Sequence, residues 1–304
     1  MPSEFEIIRR YFSRPARHAV LGVGDDAALL APSPGMELAA ATDLLVGGRH
    51  FLPGADPRLL GHKTLAVNLS DMAAMGATPR WAMLAMALEK DDEAWLAVFS
   101  AGFYALAERF GVDLVGGDTT RGPLALCVAI LGEVPAGSAL RRDGAHAGDD
   151  VWVSGELGGA AYALTDPGDA AAARRLHAPE PRVALGEALR GLASAAIDVS
   201  DGFAQDLGHI LESSRVGAEV RYALLPRHRI ADPVLERRCV LSGGDDYELV
   251  FTAPPAQRAA IERLAGEPKL TRVGTILAGA AALRVLDERG APIAAERGYD
   301  HFAP

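Results

Sequence analysis

Aspartate recurs where apolar segments run into glycine or small residues: Gly24-Asp25-Asp26, Thr42-Asp43, Ser70-Asp71, Gly116-Gly117-Asp118-Thr119-Thr120, Asp198-Val199-Ser200-Asp201-Gly202 and Ser242-Gly243-Gly244-Asp245-Asp246. Strand-end loops are where α/β proteins place binding groups, because a rigid sheet fixes the loop origins and glycine lets backbone approach a ligand. Any one of these segments alone reads as a solvated turn. Six in an otherwise apolar chain point to a shared site. Thr64, Asn68 and Asp71 also share one stripe of an apolar helix, and a buried carboxylate needs a partner. That partner is either an arginine or a divalent cation shared with the turn carboxylates. Carboxylates about 4 Å apart repel by about 4 kcal/mol, so a converging set must be neutralised. Oxygen donors from Asp and Thr without cysteine suit a hard cation such as Mg²⁺. His18, His50 and His62 show no HExxH-like pairing for zinc. His50 is either a contact to an anionic substrate or a packed loop histidine.

Phosphate handling, if present, does not follow the common glycine-rich schemes. Gly22-Val23-Gly24-Asp25-Asp26-Ala27 matches G-x-G-x-x-A, with Asp43 about twenty residues later. Yet Asp25 and Asp26 would then face the pyrophosphate, like charge on like charge. The only lysines are Lys63, Lys90 and Lys269, none after a glycine, so there is no P-loop. Cations and arginine would have to take the lysine's place, and Arg121 and Arg142 are the candidates for clamping phosphate oxygens.

These groups must be positioned by a mixed α and β framework. Ser3-Glu4-Phe5-Glu6 has capping-box spacing and opens a short helix through Phe12. A second helix starts near Asp56-Pro57 and stops at Gly76; a third spans about Asp91 to Phe110 and ends at Gly111. Short β-branched runs at 112–115, 124–131, 151–154, 218–222 and 247–252 read as strands, and Ala170 to Arg175 and Ala256 to Ala265 read as surface helices. At 304 residues the chain exceeds one ordinary core, and the Gly-, Ala- and Arg-rich stretch from Gly132 to Asp150 marks the boundary. This gives an N-terminal α/β domain over 1–140 and a C-terminal α/β domain over 141–304.

Composition excludes several classes. With 49% hydrophobic and 23% charged residues the chain should bury a real core. Forty acidic against 30 basic residues give a charge of −10, which disfavours nucleic acid and anionic membranes as partners. Two cysteines, Cys127 and Cys239, supply neither a disulfide framework nor a Cys-based metal site, as expected of a cytoplasmic protein. Glu4 and Glu6 stand where a secretory leader would be basic, and no apolar run approaches the roughly 20 residues of a membrane span.

Taken together, the six acidic segments, with Ala66-Val67-Asn68-Leu69-Ser70-Asp71-Met72, Asp245-Asp246-Tyr247-Glu248-Leu249 and Gly298-Tyr299-Asp300-His301-Phe302, resemble the thiamine-monophosphate kinase family, and they occur in family order. The resemblance implies the two-domain fold shared with aminoimidazole ribonucleotide synthetase, with an N-terminal sheet that pairs across a homodimer. It implies transfer of the γ-phosphoryl of ATP to thiamine phosphate, with several Mg²⁺ ions and no general base or covalent nucleophile. By carry-over, Asp26, Thr42, Asp43, Asp71, Asp118, Asp198 and Asp201 would hold metal. Gly117, Asp118, Arg142 and Ser200 would approach ATP, and His50, Asp245 and Tyr299 the thiamine phosphate. Two departures stand out: Asp245 replaces the family's usual Glu, and Ala41 stands where the family often has Ser. Alternatives are another ATP-using enzyme of the same superfamily, or a non-catalytic nucleotide- or cation-binding module.

Overall fold

The computed structural model describes residues 4–264, 266, 268–296 and 298–299. It divides into two compact units, Met1–Met72 with Ala77–Gly137, and Ala73–Gly76 with Ser138–Pro304.

The first unit runs α1 (Glu4–Ile7), β1 (Ala19–Leu21), β2 (Leu29–Leu30), β3 (Met36–Val46), α2 (Pro57–Ala74, its last two residues belonging to the second unit), β4 (Thr78–Leu88), α3 (Glu93–Phe110), β5 (Asp113–Arg121) and β6 (Ala125–Pro135). Both long helices begin where an aspartate can cap them. Asp56 Oδ1 accepts from the N–H groups of Arg58 and Leu59, and Asp92 Oδ1 accepts from Trp95 N–H. α3 ends on Gly111 in the left-handed conformation. The opening helix is shorter than its spacing predicts: Glu4–Ile7 gives way to a π-helical turn over Ile8–Phe12, and Ser3 of the capping box lies outside the described residues.

The four-stranded sheet has the order β3-β6-β4-β5, antiparallel except for the parallel β4–β5 pair that α3 connects. α2 and α3 approach backbone to backbone. A Cβ on Gly61 would lie 2.1 Å from Phe99 O, and one on Gly102 2.0 Å from Arg58 O. One sheet face is buried through Leu45, Leu84, Val128 and Ile130, whereas Leu38, Leu44 and Met83 on the other are 46%, 54% and 39% exposed. β3 and β4 escape a period-2 reading because both of their faces are apolar.

The second unit runs β7 (Asp150–Ser154), α4 (Gly159–Ala163), α5 (Ala170–His177), α6 (Val183–Leu189), β8 (Ala195–Asp198), α7 (Phe203–Ser214), β9 (Gly217–Arg221), α8 (Pro233–Ser242), β10 (Leu249–Ala253), α9 (Arg258–Arg263), β11 (Leu270–Leu277), β12 (Leu283–Leu286) and β13 (Pro292–Ile293). Its sheet has the order β13-β12-β9-β11-β7-β10-β8, and only β12–β9 is parallel. Val151, Val153, Ile197, Phe203, Ile210 and Val250 form part of its core. β8 and β10, side by side in this sheet, carry the loops with the acidic motifs.

Candidate active site

In the second unit the sheet brings four of the singled-out residues together. Asp198 ends β8 opposite Leu249 of β10, and the chain turns through Ser200, Asp201 and Gly202 into α7. The loop before β10 lies along that turn: Asp245 N–H donates to Ser200 O at 2.9 Å, and Tyr247 N–H to Val199 O at 2.8 Å. Tyr299 N–H donates to Asp201 O at 3.0 Å, and Gln205 bridges Tyr299 O and the Asp201 carboxylate. Ser200, Asp201, Asp245 and Tyr299 thus converge, although they span a hundred residues. The rest of the terminal motif, Asp300 to Phe302, lies outside the described residues.

The glycines here are sterically obligatory. Gly202 has φ +122°, and a Cβ would lie 3.0 Å or less from Ser242 backbone atoms; at Gly244 it would meet Ser200 O at 2.3 Å. Asp245 and Tyr247 themselves adopt positive φ, 67° and 49°, unusual for residues with a Cβ. That backbone reverses side-chain direction. Asp245 accepts from Tyr247 Oη at 3.0 Å, while Asp246 and Glu248 point into the unit. Glu248 is held by Arg182 through two hydrogen bonds and by Ser154 Oγ. Asp246 Oδ2 accepts from Gly158 N–H at 2.7 Å, and its Oδ1 has no hydrogen-bond partner. Burial is the main force that pushes Asp246 up to about 8.

One residue that sequence reasoning missed shapes this site. Asp206, buried in the first turn of α7, accepts with Oδ2 from the N–H groups of Ser200, Asp201 and Gly202 at 3.0–3.1 Å. Burial, with the charges of Asp198 and Asp201, pushes it up to about 7. The signal was an acid at the start of a helix, four residues after a glycine. Arg142 is exposed, and its carbonyl accepts from Ser214 Oγ.

The first unit holds the other candidates in a loop, on α2 and within strands: Thr42 and Asp43 lie inside β3 and Gly117 and Asp118 inside β5, not in the turns after apolar strands that the sequence suggests. Asp26 is exposed in a loop where Gly24 has φ +128°, and its N–H donates to the Asp25 carboxylate. Neighbours on one strand, Thr42 and Asp43 point to opposite faces. Asp43 is half-buried on the side of Leu45, and Thr42 Oγ1 donates to Val128 O of β6 at 3.0 Å on the exposed side. Gly117, with φ +152°, comes so close to β4 that a Cβ would lie 1.9 Å from Leu84 O, and Asp118 after it is exposed. On α2 the polar stripe is partly self-contained. Thr64 Oγ1 donates to Leu60 O and Asn68 Nδ2 to Thr64 O, while buried Asn68 Oδ1 is without a hydrogen-bond partner and Asp71 is half-buried. His50 Nδ1 accepts from Val46 N–H at 3.0 Å, so the neutral ring carries its proton on Nε2, and Lys63 Nζ donates to His50 O.

The metal-ligand candidates are five residues of the first unit, Asp26, Thr42, Asp43, Asp71 and Asp118, and two of the second, Asp198 and Asp201. Their hard oxygen donors fit Mg²⁺ in chemistry. No three His, Cys, Asp or Glu side chains are assembled as a ligand set among the described residues.

Residues 24–134 match the family model of the AIR synthase related protein, N-terminal domain, and residues 146–285 that of the C-terminal domain. Both halves are therefore AIR synthase related, a mixed α/β class. The chain is 44% identical over 322 residues to the thiamine-monophosphate kinase of Escherichia coli O157:H7, covering 99% of this chain and 98% of that protein. It aligns with the crystal structure of the thiamine-monophosphate kinase from Stenotrophomonas maltophilia K279a at a TM-score of 0.84 and 44% identity, covering 94% and 95% of the two chains. It also aligns with AaThiL complexed with AMPPCP and TMP at 0.78 and 28% identity, covering 90% and 89%. The chain belongs to the thiamine-monophosphate kinase family.

Proposed function

We infer that this chain phosphorylates thiamine phosphate to thiamine diphosphate at the expense of ATP. The observation that carries the reading is 44% identity over 99% of the chain to a thiamine-monophosphate kinase. Both substrates are phosphates, and the acceptor is already a nucleophile at neutral pH, since the second pKa of a phosphate monoester lies near 6. Such a reaction needs positioning and charge neutralisation rather than covalent help. Accordingly, this chain's residues bind and orient. His50, Asp245 and Tyr299 take the acceptor; Gly117, Asp118, Arg142 and Ser200 take the nucleotide. The Asp206 carboxylate fixes the turn that bears Ser200 and Asp201 through its three N–H donors.

Mg²⁺, held by Asp26, Thr42, Asp43, Asp71, Asp118, Asp198 and Asp201 together with substrate phosphates, would supply neutralisation of the charge on the transferring group. Mg²⁺ suits such a role because it keeps few protein ligands and completes its shell with phosphate and water. We assign the chain to a homodimer in the cytoplasm. The exposed Leu38 and Leu44 of β3 and Met83 of β4 support the first, and two free cysteines support the second.

A coupled ADP-release assay tests the function, with thiamine phosphate and thiamine as alternative acceptors. Rapid ADP release with the phosphate and little with the alcohol is expected. Equal release with both, or with neither, would refute the reading.

A further inference from the structure

We propose that Tyr247 is a positioning residue for the acceptor: its hydroxyl sets the direction of the Asp245 carboxylate, which takes thiamine phosphate. This rests on the kinase reading and on the acceptor role it gives Asp245. Tyr247 Oη lies 3.0 Å from Asp245 Oδ1. An ionised carboxylate can only accept and a phenol can donate, so the hydrogen bond runs from tyrosine to aspartate. The tyrosine is buried, which fixes its ring, whereas Asp245 is half-buried at the edge of the site. The last torsion of an aspartate is broad and weakly held. A fixed donor on Oδ1 selects one orientation and thereby decides where Oδ2 is presented.

The loop does not depend on this bond for its shape. Asp245 N–H donates to Ser200 O at 2.9 Å, Tyr247 N–H to Val199 O at 2.8 Å, and Val199 N–H in turn to Glu248 O at 2.8 Å. The side chains between and beyond are anchored inward. Asp246 Oδ2 accepts from Gly158 N–H, and Glu248 accepts from Arg182 Nε at 2.7 Å and from Ser154 Oγ at 2.6 Å. These contacts over-determine the backbone, which is what it takes to hold Asp245 at φ 67° and Tyr247 at φ 49°. With the backbone already secured, the phenolic hydroxyl is left with an effect on the carboxylate alone. Strained residues of this kind collect at ligand sites, where a side chain must be aimed as well as supplied.

A double-mutant cycle in the full-length enzyme, read as KM for each substrate, tests the assignment. Tyr247→Phe keeps the ring and removes one hydroxyl. Asp245→Gly removes the carboxylate, and glycine takes a left-handed φ without strain. Tyr247→Phe should raise KM for thiamine phosphate about tenfold, the scale of losing one hydrogen bond to a charged group. KM for ATP should stay within about twofold. In the Asp245→Gly background the same tyrosine substitution should change neither KM by more than about twofold, because the carboxylate it orients is gone. Additive effects of the two substitutions would overturn the proposal, since the hydroxyl would then act independently of Asp245. An unchanged KM for thiamine phosphate in Tyr247→Phe would overturn it too, as would an equal rise in both KM values, the mark of a general structural role. If Asp245→Gly does not fold, the KM split in Tyr247→Phe decides alone. Failure of the kinase reading looks different: the unmodified enzyme would not turn over thiamine phosphate at all.

Discussion

Asp246→Asn should alter how stability depends on pH, and the structure gives both sign and size. The carboxyl is 5% exposed, and burial raises it to about 8, partly offset by the Gly158 N–H that donates to Oδ2. In the unfolded chain an aspartate titrates near 3.9. Between these values the folded protein holds a proton that the unfolded chain has released, so the stability present below the unfolded pKa is lost as pH rises towards the folded one. Each pH unit in that window costs about 1.4 kcal/mol. From pH 5 to pH 8 the native enzyme should therefore lose on the order of 4 kcal/mol through this one group. Asparagine keeps an acceptor for Gly158 N–H and cannot titrate. It places an amide nitrogen where Oδ1 had no hydrogen-bond partner, an orphaned-donor cost of about 1–3 kcal/mol that does not vary with pH. The difference between variant and native enzyme should thus move in the variant's favour by about 4 kcal/mol across that range. Urea unfolding at pH 5, 6, 7 and 8 measures it. Stability curves that run parallel would show that Asp246 is ionised in the folded state and that the burial argument is wrong.

Three further outcomes test the site. Asp71→Asn should leave the circular dichroism spectrum intact and lower turnover at least about 100-fold, as when a preorganised charge-stabilising group is lost; near-native turnover would remove Asp71 from the metal set. Mg²⁺ with a nonhydrolysable ATP analogue should raise the melting temperature, and the analogue with EDTA much less, because only ligands of the native state stabilise it; equal shifts would uncouple nucleotide binding from the carboxylates. Incubation with γ-labelled ATP and Mg²⁺ before acceptor is added should leave no label on the protein, and a stoichiometric phosphoenzyme that chases into product would refute direct transfer.

Local signals were legible where the physics is local. Asp56 and Asp92 sit immediately before their helices, and Gly111 stops α3, as their side chains and backbone freedom require. β3 was missed because Met36 to Val46 exposes Leu38 and Leu44 on the face where a lone sheet would show polar residues. Spacing found the motif Asp245-Asp246-Tyr247-Glu248, but only the resemblance singled out Asp245 within it. Two positive φ values within it send one carboxylate to the site and two inward, and no spacing rule announces a left-handed residue that is not glycine. Asp206 was overlooked for a related reason. Its role depends on a turn folding back over the helix start, whereas its sequence position suggests only a favourable charge in a first turn.

β3 has a bearing on how the enzyme behaves when dilute. Thr42 and Leu44 face outward from the same strand whose next inward residue is Asp43, so any surface that seats on Leu44 also steadies the backbone that aims Asp43. In the homodimer proposed above, activity per chain would then be a function of protein concentration: flat while the outer face is covered and falling once dilution uncovers it. An assay run at nanomolar enzyme would report a poorer catalyst than the same molecules at the concentration of a cell.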